Sequence, residues 1–201
     1  MSGTPNEDQS GREKWNRRYR EKQWRPFPDT PSEWLVESRS LLLGAGGGRG
    51  LDVACGNGRN ALYLARRGLR VDAVDISDVA IDGLRAAAVD RGLAIEPRRM
   101  DLEAEPLPVA RYDVIVQISY LQRDLFEPLA RALTPGGILI VETVTRAHLE
   151  RLGNRFDPRF VLEENELRGS FPDLVVRRYR EGVAVRSGRP RAVASLVAQR
   201  A

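Results

Sequence analysis

One cysteine, Cys55, stands in 201 residues. No internal disulfide can form, and a cysteine-rich metal site is excluded. Histidine is as scarce, with His148 alone. Lysine occurs only at Lys14 and Lys22, so the basic residues are almost all arginine. No apolar run approaches the roughly 18 residues that a spanning helix needs. The opening MSGTPNEDQSGREK lacks the apolar core of a signal peptide. Repeats and low-complexity tracts are absent too. These shortages exclude a disulfide scaffold, a collagen-like chain and a helical membrane protein, and the expectation is a cytoplasmic protein with no metal and no membrane partner. What is present suits one domain: 42% hydrophobic and 30% charged residues, enough to bury a core. The net charge of +4 is dispersed and makes a weak field, so nucleic acid is not an expected partner. Either a monomer or a homodimer is compatible with this composition.

Residues 1–12 read as a disordered tail and 13–201 as a single domain. Trp15 to Trp24 predicts a short helix, broken by Pro26, Pro28 and Pro31. Ser32 predicts a helix cap, with apolar spacing through Leu43 and a glycine hinge at 44–48. From there strands and helices alternate. Strands are expected at 50–54, 69–74, 93–100, 112–118 and 138–144. Helices are expected from Gly58 to Arg67, from Ser77 to Arg91 and up to Leu133. A helix around 163–170 then leads to two strands, 174–181 and 191–200, with Gly182 and the Ser187–Pro190 turn between them. Alternation implies parallel pairing with right-handed crossovers, and the final two strands must form an antiparallel hairpin. The expected fold is therefore α/β: a seven-stranded, mostly parallel sheet with helices on both faces and a C-terminal antiparallel hairpin.

The segment Leu51-Asp52-Val53-Ala54-Cys55-Gly56-Asn57-Gly58-Arg59-Asn60-Ala61 lies where a strand becomes a helix. Glycine there lets backbone amides approach a ligand. Asp75 follows at the tip of the next strand, where a carboxylate can accept from both hydroxyls of a ribose. Gly56-x-Gly58-x-x-Ala61 also satisfies a dinucleotide fingerprint, which keeps a nicotinamide (NAD) oxidoreductase open. Against it stand Asp52 inside the strand, a further acid, Asp101, after the third strand, and the hairpin ending.

With these residues in view, the chain resembles the class I S-adenosylmethionine (SAM) dependent methyltransferases over about Trp15 to Arg200. LDVACGNGRN, AVDIS, MDLE, YDVIVQISYLQ and LTPGGILIVET carry the resemblance in order. GNGRNALYLARRG, ENELRGSF and RAVASLVAQR look most like the tellurite-resistance-type branch, which acts on small molecules. The resemblance implies a Rossmann-like fold, SAM as cofactor, S-adenosylhomocysteine (SAH) as product and a small-molecule acceptor. It places Ala54, Gly56 and Gly58 against the methionine and ribose parts, with Ala54 standing where the family has a glycine. It also places Asp52 behind the loop near the amino group, Asp75 on the ribose, Ile76 on adenine, and Asp101 and Leu102 around the adenine amino edge. Gln117 falls beside the methionine part, and Tyr19 resembles the N-terminal aromatic that closes over the cofactor.

Arg59 and Asn60 lie on the first turn after the loop, where a cation opposes the helix dipole and suggests a carboxylate partner for Arg59. Tyr19, Tyr120, Arg123 and His148 are candidate substrate contacts, although a surface position is the favoured reading of His148. No catalytic residue is assigned. Cys55 is set aside as a nucleophile because it sits in the cofactor loop. An acceptor such as a thiol or chalcogen would need little base assistance. Two further readings stay open. A nucleic-acid adenine methyltransferase would want an Asn/Asp-Pro-Pro-aromatic run where this chain has Gln117-Ile118-Ser119-Tyr120. A SAM-binding regulator without transferase activity is the other.

Overall fold

In the computed structural model, residues 7–21, 30–42, 47–152 and 157–201 are described. Helices α1 (Glu7–Glu21) and α2 (Glu33–Glu37) precede β1 (Arg49–Val53), α3 (Arg59–Ala65), β2 (Arg70–Asp75), α4 (Asp78–Asp90) and β3 (Ile95–Arg99). Then come β4 (Tyr112–Ile118), α5 (Phe126–Ala132), β5 (Leu133–Val144), α6 (Arg146–Leu152), α7 (Glu166–Gly169), β6 (Leu174–Arg186) and β7 (Arg189–Arg200). Among the described residues, no helix is long and apolar enough to cross a membrane.

The seven strands form one sheet in the order β3-β2-β1-β4-β5-β7-β6. The first five pair in parallel, and β7 enters antiparallel between β5 and β6. The chain steps outward from β1 to β3 and returns beside β1 as β4. That reversal opens a crevice at the carboxyl ends of β1 and β4. Strand alternation divides the core into two layers. Leu51, Val53, Ile115, Leu139 and Val141 face α5 and α7, through Leu129 and Leu167. Val71, Ala73, Val114, Val116 and Ile140 face the other way, onto Trp34, Leu62, Leu64, Ile81 and Leu84 of α2, α3 and α4. Helices therefore cover both faces, as the alternating pattern predicts.

Several boundaries differ from expectation. Helix α1 begins at Glu7, so half of the expected loose tail is helical; residues 1–6 and 22–29, which include Trp24, Pro26 and Pro28, lie outside the described residues. The helix expected through Leu43 ends at Glu37 and continues only as a 3-10 turn, Arg39–Leu42, while 43–46 lie outside the described residues. Ser32 does occupy the N-cap position, but its side chain makes no capping bond. Ser77 caps as expected, its Oγ accepting from Ala80 N. Gly182 lies inside β6 rather than between strands. The hairpin turn is Ser187-Gly188, with φ of 50° and 74°, the left-handed pair that a tight two-residue hairpin needs.

Candidate cofactor-binding site

The crevice is built on the loop after β1. Cys55 N donates to Val74 O at 2.9 Å, extending the β1–β2 ladder one residue, and Gly58 N then turns back onto Cys55 O at 2.9 Å. Ala54, Gly56 and Gly58 have φ of 50°, 53° and 78°. Two of these positions have a packing reason to be glycine. A Cβ on Gly58 would lie 2.3 Å from Leu84 Cδ1, and one on Gly56 would lie 2.6 Å from Tyr19 Oη. Ala54 holds a conformation that favours glycine while carrying a methyl group, a local strain.

Three acids at strand tips surround the loop. Asp52 is buried, and its Oδ2 accepts from Ala61 N at 2.9 Å, which fastens the start of α3. Burial, reinforced by Asp75, raises its carboxyl to about 7 against the opposing pull of the Ala61 amide and Arg59. Asp75 accepts from Gly56 N at 2.8 Å through Oδ2 and from Ser77 N at 2.9 Å through Oδ1. Burial raises its pKa as well, and those amides counter it. Each carboxylate oxygen has a second acceptor position, so both keep capacity for a ligand hydroxyl. Asp101 accepts from Glu103 N at 2.9 Å and is buried beside Leu102. No arginine or lysine is hydrogen-bonded to these three carboxylates among the described residues; their partners are backbone amides.

Gln117 lies one residue before the end of β4, paired with Val53 of β1. It is fully buried; its Nε2 donates to Tyr120 O at 3.2 Å, and its Oε1 has no partner. Tyr120 donates to Gln122 Oε1 at 2.6 Å, and Gln122 Nε2 reaches Leu102 O at 3.3 Å. This chain of bonds ties the end of β4 to the loop after β3. Burial raises the Tyr120 hydroxyl above its ordinary pKa, with Glu103, Asp101 and Asp75 adding to it. Tyr19 is raised by burial and then by Asp75, Cys55 and Asp52, which places it in the same field from above. Both phenols are thus protonated near neutral pH. Cys55 is buried, its thiol pushed up by burial and the nearby acids, which suits the reading that it is no nucleophile.

Sequence reasoning missed the residue that docks α1. Asn16 Oδ1 accepts from Ser77 Oγ at 2.7 Å and Val79 N at 3.3 Å, while its Nδ2 donates to Asp78 Oδ2 at 3.2 Å. Arg12 Nε reaches the same Asp78 oxygen at 2.7 Å. Arg12, Asn16 and Tyr19 fall at helical spacing on one face, the signal that could have found this contact. Ile76 lies under the same helix, 3.9 Å from where a Gly11 Cβ would be.

Not every expected residue joins the cluster. Asn60 turns away, and its Oδ1 accepts from Ser32 N at 2.9 Å. Arg123 is a clamp: it grips Glu166 at 2.6 and 2.8 Å and donates to Arg159 O and Val161 O, both at 3.0 Å. The surface reading of His148 is corrected. It is buried, its Nδ1 accepts from Ala192 N at 3.3 Å, and burial followed by the charge of Arg191 lowers its pKa. Neither Arg123 nor His148 reaches the acids around the loop. Arg178 and Arg180 are exposed on β6, stack over Trp34 and pair with Glu37.

Residues 51–137 match a family model described as a methyltransferase domain. The chain is 34% identical over 139 residues to the S-adenosyl-L-methionine-dependent Diels-Alderase iccD of Talaromyces variabilis, covering 63% of this chain and 48% of that protein. It is 34% identical over 108 residues to a ubiquinone biosynthesis O-methyltransferase of Chelativorans sp. (strain BNC1), covering 51% and 42%. It therefore spans just under half the length of these relatives. The structure of TehB from Haemophilus influenzae superposes with a TM-score of 0.68 at 20% identity, over 93% of this chain and 67% of that one. The matched segment holds the glycine loop, Asp75, Asp101 and Gln117. Residues 51–137 are thus similar to a methyltransferase domain, and the fold is one that a solved neighbour such as TehB shares. The tellurite-resistance branch shares its fold and is not singled out by these likenesses.

Proposed function

We propose that the chain binds SAM at the carboxyl ends of β1, β2 and β4 and transfers its methyl group to a small-molecule acceptor. The observation that carries this reading is the convergence of the left-handed glycine loop with amide-held Asp75 and the fully buried, unpartnered Oε1 of Gln117. A buried polar atom without a partner is costly, and an ammonium or hydroxyl of a ligand would satisfy it. Asp75 offers its remaining acceptor positions to the ribose, Asp101 and Leu102 border the adenine, and Ile76 supplies an apolar face. Asp52 and Gln117 bracket the methionine end, and Tyr19 on α1 closes the crevice from water.

When bound, SAM would supply an electrophilic methyl on a sulfonium, whose transfer to an acceptor lone pair would release a neutral thioether. The chain's contribution is alignment and exclusion of water, worth on the order of 7–11 kcal/mol for well-oriented reactants. Tyr19 and Tyr120 hold their protons, and His148 is turned into β7. An acceptor that ionises by itself, a thiol or a chalcogen, fits this setting best.

The experiment is incubation with SAM and a panel of thiols, phenols and amines, following SAH by mass spectrometry. The expected result is SAH release that requires an acceptor and is fastest with thiols. A thermal shift with NAD and none with SAM would overturn the reading, since ligand at 100 times its Kd stabilises by roughly 2.7 kcal/mol. Cofactor binding without transfer to any acceptor would favour a SAM-dependent catalyst of another reaction, as the name of the Talaromyces relative indicates for that protein.

A further inference from the structure

Beside the crevice, β4 and β5 end over a cavity of about 170 Å³. Arg59, Ser119, Thr143, Arg186 and Arg191 line it, and Glu33 and Glu142 contribute carboxylates. It adjoins the crevice, because Arg59 follows Gly58 directly and Ser119 lies two residues beyond Gln117. An acceptor must approach from such a neighbouring space.

The charges in this cavity do not cancel locally. Arg186 grips Glu142 with two bonds of 2.7 and 2.6 Å, so that pair is closed. Glu33 accepts from Ser187 N at 2.6 Å. Burial raises its carboxyl, but the Ser187 amide and the guanidinium groups of Arg186 and Arg59 outweigh that and hold it below its ordinary value. Arg59 acts on Glu33 and Asp52 through space without a bond to either, and Arg191 remains. Among the described residues, neither has a carboxylate within ion-pair distance or a hydrogen-bonded side-chain partner. Guanidinium groups that face a cavity with no carboxylate bonded to them match the geometry of a carboxylate or phosphate, which they bind through paired N–H donors.

We infer that the acceptor is an anion: a small molecule whose carboxylate or phosphate is held in this cavity by Arg191, with Arg59 as the second cation. The inference rests on the methyltransferase reading above. Arg59 also borders the cofactor loop and can answer to the carboxylate of the cofactor itself. Arg191 is carried by β7, which pairs with β5 and β6 and not with β1, so the test is made there.

The test is calorimetric titration of benzoate, phenyl phosphate and uncharged benzamide into the full chain saturated with SAH, repeated with Arg191→Gln and Arg191→Lys. The expected result is that one of the anions binds about tenfold or more tighter than benzamide, the scale of a charge-assisted hydrogen bond. The tighter anion identifies carboxylate or phosphate as the group recognised. Arg191→Gln should bring that preference below threefold with SAH affinity unchanged, and Arg191→Lys should keep part of it. Equal binding of benzamide and the anions, no binding of either anion, or an undiminished preference in Arg191→Gln would each overturn the inference. The comparison of anion with amide in the unaltered chain stands even where a variant fails to fold. Failure of SAH itself to bind would instead overturn the methyltransferase reading, and this inference with it.

Discussion

The two halves of the sheet treat buried carboxylates in opposite ways. At the ends of β1 and β2, Asp52 and Asp75 are held by the amides of Ala61, Gly56 and Ser77, with no cation bonded to them among the described residues. Near the end of β5, Glu142 is held by the Arg186 guanidinium and by Ser195 Oγ at 2.7 Å. The amides orient the first pair without neutralising it, and burial leaves both with raised pKa values. The second arrangement is closed, with side chains only 9% and 5% exposed. One half of the sheet keeps acids ready for a ligand, and the other uses an acid to fasten the hairpin.

Breaking the closed half should have the largest effect on stability. Arg186→Ala leaves Glu142 buried without its cation, a loss of about 3–5 kcal/mol in urea unfolding. Replacing both partners, Arg186→Met with Glu142→Leu, should recover much of that loss, because a buried pair is weak evidence of net stabilisation. If the double variant is no better than the single one, the pair does more than fasten. Next in size is Gly58→Ala. Its Cβ would meet Leu84 well inside contact distance at a φ of 78°, so about 2–4 kcal/mol of stability should go. Gly92→Ala, at a φ of 60° with nothing within 4 Å, should cost only the backbone part, about 1–2 kcal/mol. Equal losses at the two glycines would show that the Leu84 contact does not matter.

In the open half the effect should appear in binding. Asp75→Ala should weaken SAH by about 1.5–3 kcal/mol, the worth of hydrogen bonds to a charged group, in isothermal titration. The Asp52 effect is read in the pH dependence of stability, not in ligand affinity. Its folded pKa of about 7 exceeds the ordinary 3.8, so the native state binds the proton more tightly than the unfolded chain. That contribution is present at acid pH and is lost as pH rises from about 4 to about 7. Relative to Asp52→Asn, the unaltered chain should therefore lose melting temperature across that window and level off above it. Parallel curves for the two proteins would contradict the raised pKa.

Much of the open half was legible because its elements are local. The β-branched run from Tyr112 to Ile118 forms the strand it predicts, and Ser77 caps the helix it precedes. The loop glycines and Asp75 converge because short βα connections leave them little freedom. What escaped depends on contacts between distant segments. Helical spacing marks the face of α1 that carries Asn16 but does not say that its partner is Ser77, 61 residues away. His148 reads as a surface residue among Arg146 and Glu150 until β7 folds over it. Arg123 looks available until Glu166 arrives from beyond α6. Asn60 sits on the expected helix turn, but the start of α2 claims its side chain. Polar residues can be placed on an element from sequence, whereas their partners are set by topology.

The account stands on the crevice at β1, β2 and β4 being an adenosyl-binding pocket. Isothermal titration of SAH into the full chain tests that most directly. The predicted result is one-to-one binding that Asp75→Ala weakens and Arg186→Ala leaves within twofold. Absence of binding, or binding that follows Arg186 and ignores Asp75, would contradict it.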